Sequence, residues 1–176
     1  VDYEEKRPRV LEKLKAGYPR FVIPPMASRF FEQCRQQHAR PGEKCLAYPS
    51  LRAARRSINS IRRWTGVTAR LESDPAGRAF AVFHPESVHE AALKHWRHTG
   101  DGVSSRRAEA LLENLAEPDA AAAKAAVRSR IAALMGVPDD CVWLFKTGMS
   151  AIYTAYRAVC ALKPGARTVQ FGFPYV

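Results

Sequence analysis

The run Val142-Trp143-Leu144-Phe145-Lys146-Thr147-Gly148-Met149-Ser150-Ala151-Ile152 places an apolar stretch, a tight glycine loop and a helix start in immediate succession. That is the local order of a phosphate site. The first backbone N–H groups of a helix lack intrahelical partners and sit at the positive end of its dipole. An anion set against Gly148, Met149 and Ser150 would satisfy both. Glycine at 148 matters because a phosphate then approaches the backbone without meeting a Cβ.

The elements that must position this loop read as a βαβ unit. Residues 142–145 form the first strand, a helix follows, Lys163-Pro164-Gly165 makes a turn, and Thr168-Val169-Gln170-Phe171 reads as the second strand. Parallel strands are normally buried on both faces, and a sheet of two would be mostly edge, with unpaired N–H and C=O groups. The expectation is therefore the front part of a longer protein, a reading to which the start at Val1 adds. The alternative is a complete small α/β domain with a two- or three-stranded sheet.

Upstream, 4–16 reads as a short helix closed by Gly17, and 18–25 as extended because of its prolines. Pro25 starts a helix lasting to about His38, and a loop with Pro41 and Gly42 leads into an arginine-rich helix from Leu51 to Trp64. Residues 67–71 and 79–83 alternate around Ser73-Asp74-Pro75-Ala76-Gly77, which predicts a hairpin. After a polar loop from Thr99, Ser104 or Ser105 caps a helix carrying Ala108, Leu111, Leu112 and Leu115. Pro118-Asp119 then starts a helix with Val127, Ile131, Leu134 and Met135 on one side and Gly136 at its end.

At 47 % hydrophobic and 26 % charged over 176 residues, the chain is globular in class and long enough for one sizeable core. No apolar run approaches the ~20 residues of a bilayer span, and the densely charged start does not resemble a secretory signal, so a cytoplasmic location is the default. The net charge of +11 is uneven: residues 1–70 hold sixteen Lys or Arg against six Asp or Glu, whereas the remainder is nearly balanced. Arg52, Arg55, Arg56, Arg62 and Arg63 form either an anion-binding face for nucleic acid or a membrane surface, or a solvated face. The solvated face is expected, because Leu51, Ala54, Ile58, Ile61 and Trp64 bury the other side and no nucleic-acid motif accompanies the charge.

Cys34, Cys45, Cys141 and Cys160 show no C-x-x-C pairing, so neither zinc nor redox chemistry is indicated, and Cys141 and Cys160 are expected to pack as small hydrophobes. His84, His89, His95 and His98 lack a carboxylate or cysteine at ligand spacing, so no metal is expected.

Taken together, His98-Thr99-Gly100-Asp101-Gly102-Val103-Ser104-Ser105-Arg106-Arg107-Ala108-Glu109, Lys146-Thr147-Gly148-Met149-Ser150-Ala151-Ile152 and Leu162-Lys163-Pro164-Gly165 resemble the cystathionine γ-synthase group of pyridoxal-phosphate enzymes. The fungal type, with its long N-terminal extension, is the nearest pattern. The resemblance implies an α/β chain: a basic α+β extension over 1–92, then over 93–176 the first part of a fold-type I (aspartate aminotransferase-like) large domain. It implies that the amides of Gly148 and Met149 hold the phosphate of pyridoxal 5′-phosphate. Tyr175 is the candidate to stack on the cofactor ring, unless it merely packs at a strand end. The family's Tyr-x-Arg pair, donated to a neighbouring subunit's phosphate, has no match here; Arg97 or Arg106 takes its place, or each is an ordinary surface arginine.

The Schiff-base lysine and the acid that protonates the pyridine nitrogen are implied beyond Val176, so no catalytic residue is assigned. Lys146 is not that lysine, because a loop presenting its amides to phosphate does not carry this side chain to the cofactor aldehyde. The implied activity is γ-replacement in transsulfuration, cystathionine from an O-activated homoserine and cysteine, with small amino-acid substrates, a homo-oligomer and no membrane. Sulfhydrylase and γ-lyase chemistry stay open. The competing class is a basic, non-catalytic nucleic-acid-binding module using residues 1–70.

Overall fold

A computed structural model of the chain describes residues 7–13, 22–116, 119–169 and 171–172. Its elements are α1 (Pro8–Leu11), α2 (Pro25–His38), β1 (Glu43–Tyr48), α3 (Leu51–Thr65), β2 (Arg70–Ser73), β3 (Phe80–Pro85), α4 (His89–Thr99), α5 (Ser105–Leu112), α6 (Ala121–Met135) and α7 (Gly148–Leu162). Short 3-10 turns cover Glu86–Val88 and Asp139–Cys141. Pro25 opens α2 at its first position, where a missing N–H costs nothing. Ser50 caps α3 by accepting from Ala53 N, and Gly66 closes it at φ 75°. Gly17 and the outer parts of the expected first helix lie outside the described residues, as do 18–21 of the proline-rich stretch.

The three strands are antiparallel in the order β1-β3-β2. Opposed residues share a face and successive ones alternate, so Cys45, Phe83 and Ala81 face one side while Leu46, Val82, Tyr48 and His84 face the other. On the second side Tyr48 donates its hydroxyl to Ser57 Oγ of α3 at 2.7 Å and lies beside His95 of α4. On the first side α2 covers β1, with α5 packed on α2. Both faces of β1 and β3 are therefore buried, which is why Cys45-Leu46-Ala47-Tyr48 reads as a continuous apolar run and gave no alternation signal. Helix α4, also not anticipated, buries Ala92, Leu93 and Trp96 at helical spacing and continues unbroken through positions 92 and 93.

The expected βαβ unit is not formed among the described residues. Residues 142–145 have no strand partner, and neither do Thr168, Val169 and Phe171. Val142 keeps extended angles (φ −109°, ψ 118°), but a strand exists only through a neighbour's hydrogen bonds. Trp143 is accordingly 72 % exposed. Cys141 and Cys160 are exposed rather than packed, whereas Cys34 and Cys45 are buried.

Two imidazoles are enclosed in this core. His84 is fully buried and His95 is 2 % exposed; burial lowers the pKa of each to about 4. An unfolded chain takes up protons at both as pH falls below the ordinary histidine value near 6.5, whereas the native chain resists until about 4. Stability is thus full above pH 6.5 and declines towards pH 4, by about 3 kcal/mol per histidine. Urea midpoints measured between pH 7 and 4 should show this fall, and His95→Gln should remove part of its pH dependence.

Candidate functional site

Thr147 and Ser150 build the start of α7 as a reciprocal cap. Thr147 Oγ1 accepts from Ser150 N at 3.1 Å, and Ser150 Oγ accepts from Thr147 N at 3.3 Å. This corrects the three-amide expectation, because the Ser150 N–H is already taken. Gly148 and Met149 remain as first-turn donors without intrahelical partners. A Cβ at Gly148 would meet nothing within 4 Å, so the approach to its amide is open.

The loop between α4 and α5 holds this cap in place. Gly100 closes α4 at φ 64°, a conformation that favours glycine. A Cβ there would lie 2.6 Å from Thr147 Oγ1 and 2.9 Å from Ser150 N, so the loop backbone sits directly on the cap. Asp101 is buried and accepts from Arg56 Nε at 2.9 Å and Nη2 at 2.6 Å, tying the loop to α3. Its backbone N–H also reaches Thr99 Oγ1. Val103 N and Trp96 Nε1 both donate to Ala47 O on the edge strand β1. Gly102 lies so close to the Trp96 ring that an added Cβ would fall 2.0 Å from Nε1. Neither the Arg56–Asp101 pair nor the Gly102–Trp96 contact was anticipated; the Gly-Asp-Gly spacing after a tryptophan was the available signal. Arg56 is thereby removed from the arginine face, while Arg52, Arg55, Arg62 and Arg63 are exposed.

Lys146 Nζ donates to Gly102 O, joining the residue before the α7 cap to the same loop. Much of this residue is exposed, yet loss of water around its ammonium lowers the pKa to about 8, with Asp101 pulling the other way. A cavity of about 140 Å³ between loop and cap is lined by Trp96, Gly100, Gly102, Ser104, Lys146 and Thr147. Ser104 caps α5 by accepting from Arg107 N.

Gly148 and Met149 therefore share the first turn of α7. Arg106 lies on α5 and lines a different, basic cavity with Lys146, one that Gly148 and Met149 do not line. Tyr175 lies outside the described residues. Arg97 has a buried Nε without a hydrogen bond. Among the described residues no group of three His, Cys, Asp or Glu gathers for a metal, and no helix is long and apolar enough to cross a membrane.

The unit that carries the loop has known relatives. Residues 27–104, from the first turn of α2 to the cap of α5, match the family model described as the fungal trans-sulfuration enzyme N-terminal domain. Over this stretch the chain is similar to the trans-sulfuration family. It is 31 % identical over 155 residues to the cystathionine gamma-synthase of Neurospora crassa, covering 72 % of this chain and 25 % of that protein. To the cystathionine gamma-synthase of Saccharomyces cerevisiae it is 27 % identical over 135 residues, 68 % of this chain and 21 % of the relative. The cystathionine gamma-synthase-like enzyme iboG2 of Amanita muscaria is 23 % identical over 275 aligned positions, spanning 99 % of this chain and 44 % of the relative. The chain thus spans less than half the length of these curated relatives. No solved structure matches it.

Proposed function

We propose that the chain is the part of a pyridoxal-phosphate enzyme of γ-replacement that receives the cofactor phosphate, in an enzyme that makes cystathionine from an O-activated homoserine and cysteine. The observation that carries the reading is the pair of first-turn amides at Gly148 and Met149 without intrahelical partners, with the third first-turn amide closed off by Thr147. Two free N–H donors at the positive end of a fifteen-residue helix suit a phosphate dianion by charge and by donor type. When bound, the cofactor supplies an electron sink for a substrate carbanion. The cystathionine gamma-synthase names of the relatives support the substrate class. With the reading go a fold-type I large domain, amino-acid substrates and a homo-oligomeric, cytoplasmic enzyme.

Within this scheme each local residue has a mechanical task. Thr147 and Ser150 fix the helix start that carries the two uncapped amides. Gly100 and Gly102 bring the loop against the cap, and Asp101 holds the loop through Arg56. Lys146 fastens the residue before the cap to Gly102 O.

The test compares pyridoxal phosphate with pyridoxal, which lacks the phosphate, in titrations of the chain. The phosphate form should bind at least tenfold more tightly, about the contribution of one hydrogen bond to a charged group. Equal affinity would sink the reading. The chain alone should form no cystathionine from activated homoserine and cysteine; product formation would contradict placing the catalytic lysine elsewhere.

A further inference from the structure

A second place that attracts anions stands apart from the α7 terminus. An open cavity of about 670 Å³ lies between α5 and the start of α6, with Ser104, Arg106, Arg107, Lys124, Lys146 and Asp119 in its walls. Four of these side chains are cationic and one is acidic. Arg107 is anchored, its Nε and Nη2 donating to Arg78 O at 3.1 and 2.6 Å. Asp119 accepts from Ala121 N at 2.9 Å. Lys146 donates to Gly102 O. Among the described residues, the side chains of Arg106 and Lys124 make no hydrogen bond and no ion pair. They come from different helices and converge on one space.

Like charges brought together on a concave wall raise the potential there and attract an anion. The guanidinium of Arg106 offers a planar fork suited to phosphate, and Lys124 a compact point charge. The start of α5 adds the positive end of an eight-residue helix, whose Arg107 amide is capped by Ser104 and whose first two amides lack intrahelical partners. Apolar Pro49, Ala110 and Ala120 leave room beside the charges for the organic part of a small ligand.

We propose that this cavity is a phosphate-group site separate from the amides of Gly148 and Met149, built by Arg106 of α5, Lys124 of α6 and Lys146. Its ligand is a small molecule carrying a phosphate dianion. The assignment does not rest on the cofactor reading, because Gly148 and Met149 are absent from the cavity wall. It also gives Arg106 a task within its own chain rather than at a neighbour's cofactor.

The experiment titrates the intact chain with inorganic phosphate at constant ionic strength, following backbone amide shifts by NMR. Three proteins are compared: the unaltered chain, an Arg106→Gln/Lys124→Gln double variant, and Gly148→Pro. Shifts at Arg106, Ala120 and Lys124 should saturate together in the unaltered chain and in Gly148→Pro. In the double variant they should need at least tenfold more phosphate, with an unchanged melting temperature. A titration with O-phosphohomoserine separates the sources: tighter binding than inorganic phosphate assigns the site to a phosphate ester, equal binding to the phosphate group alone, and both support it. Unchanged affinity in the double variant, or loss of these shifts in Gly148→Pro, overturns the proposal.

Discussion

Gly102→Ala should lower the melting temperature by about 10 °C, the largest stability effect expected of any glycine-to-alanine change among the described residues. The added Cβ would sit 2.0 Å from Trp96 Nε1, 2.2 Å from Cε2 and 2.7 Å from Cζ2. Trp96 is 1 % exposed and packs edge-on against Phe31 of α2, with ring centroids 5.9 Å apart, so the indole has no space to retreat. Either the ring moves and loses its hydrogen bond to Ala47 O, or the loop lifts from β1 and gives up Val103 N to the same carbonyl. Overpacking of this kind and an orphaned buried donor together cost about 3 kcal/mol or more. For a chain of this size each kcal/mol is worth about 3 °C. Gly66→Ala is the fitting control. It has φ 75° but open space around its Cβ, so only the left-handed backbone is penalised, at about 1 kcal/mol. Thermal unfolding followed by circular dichroism checks the pair, and equal losses would show that Gly102 is not wedged against the indole.

Gly148→Pro should weaken binding of pyridoxal phosphate by about 10- to 100-fold while leaving the fold intact. Residue 148 is the first helical position, where proline is well accommodated because its missing N–H has no intrahelical partner. Thr147 before it is extended (φ −145°, ψ 154°), the conformation that a following proline favours. The substitution therefore removes one donor and little else. A hydrogen bond to a charged group contributes about 1.5–3 kcal/mol, which gives the expected loss. Pyridoxal binding should not change. A melting temperature within ~2 °C of the parent, together with unchanged phosphate-form affinity, would show that the phosphate is held elsewhere.

The parts of this molecule legible in the sequence are those set by local chemistry. Pro25, Ser50, Gly66, Ser104 and Gly136 start or stop helices by their own conformational preferences, and the four helices they bound were expected near their observed limits. The hairpin around Asp74 was legible for the same reason, with its strands displaced by a few residues. Strand β1 was not, because its apolar run is buried on both faces and lacks alternation. The two strands expected around α7 fail for the opposite reason: their residues are strand-like in type, but pairing is non-local and no neighbour is present among the described residues. At the site, the amides of Gly148 and Met149 follow from a glycine at a helix start. The loss of Ser150 as a donor required knowing that Thr147 turns back onto it, and the separation of Arg106 from those amides depends on how α5 packs.

The most direct test of the central claim is a ¹⁵N-resolved NMR titration of the chain with pyridoxal phosphate and, separately, with pyridoxal. The account predicts that the amide signals of Gly148 and Met149 move with pyridoxal phosphate and stay in place with pyridoxal, while Ser150, already bonded to Thr147, moves least of the three. Saturating shifts elsewhere with Gly148 and Met149 unmoved would contradict it.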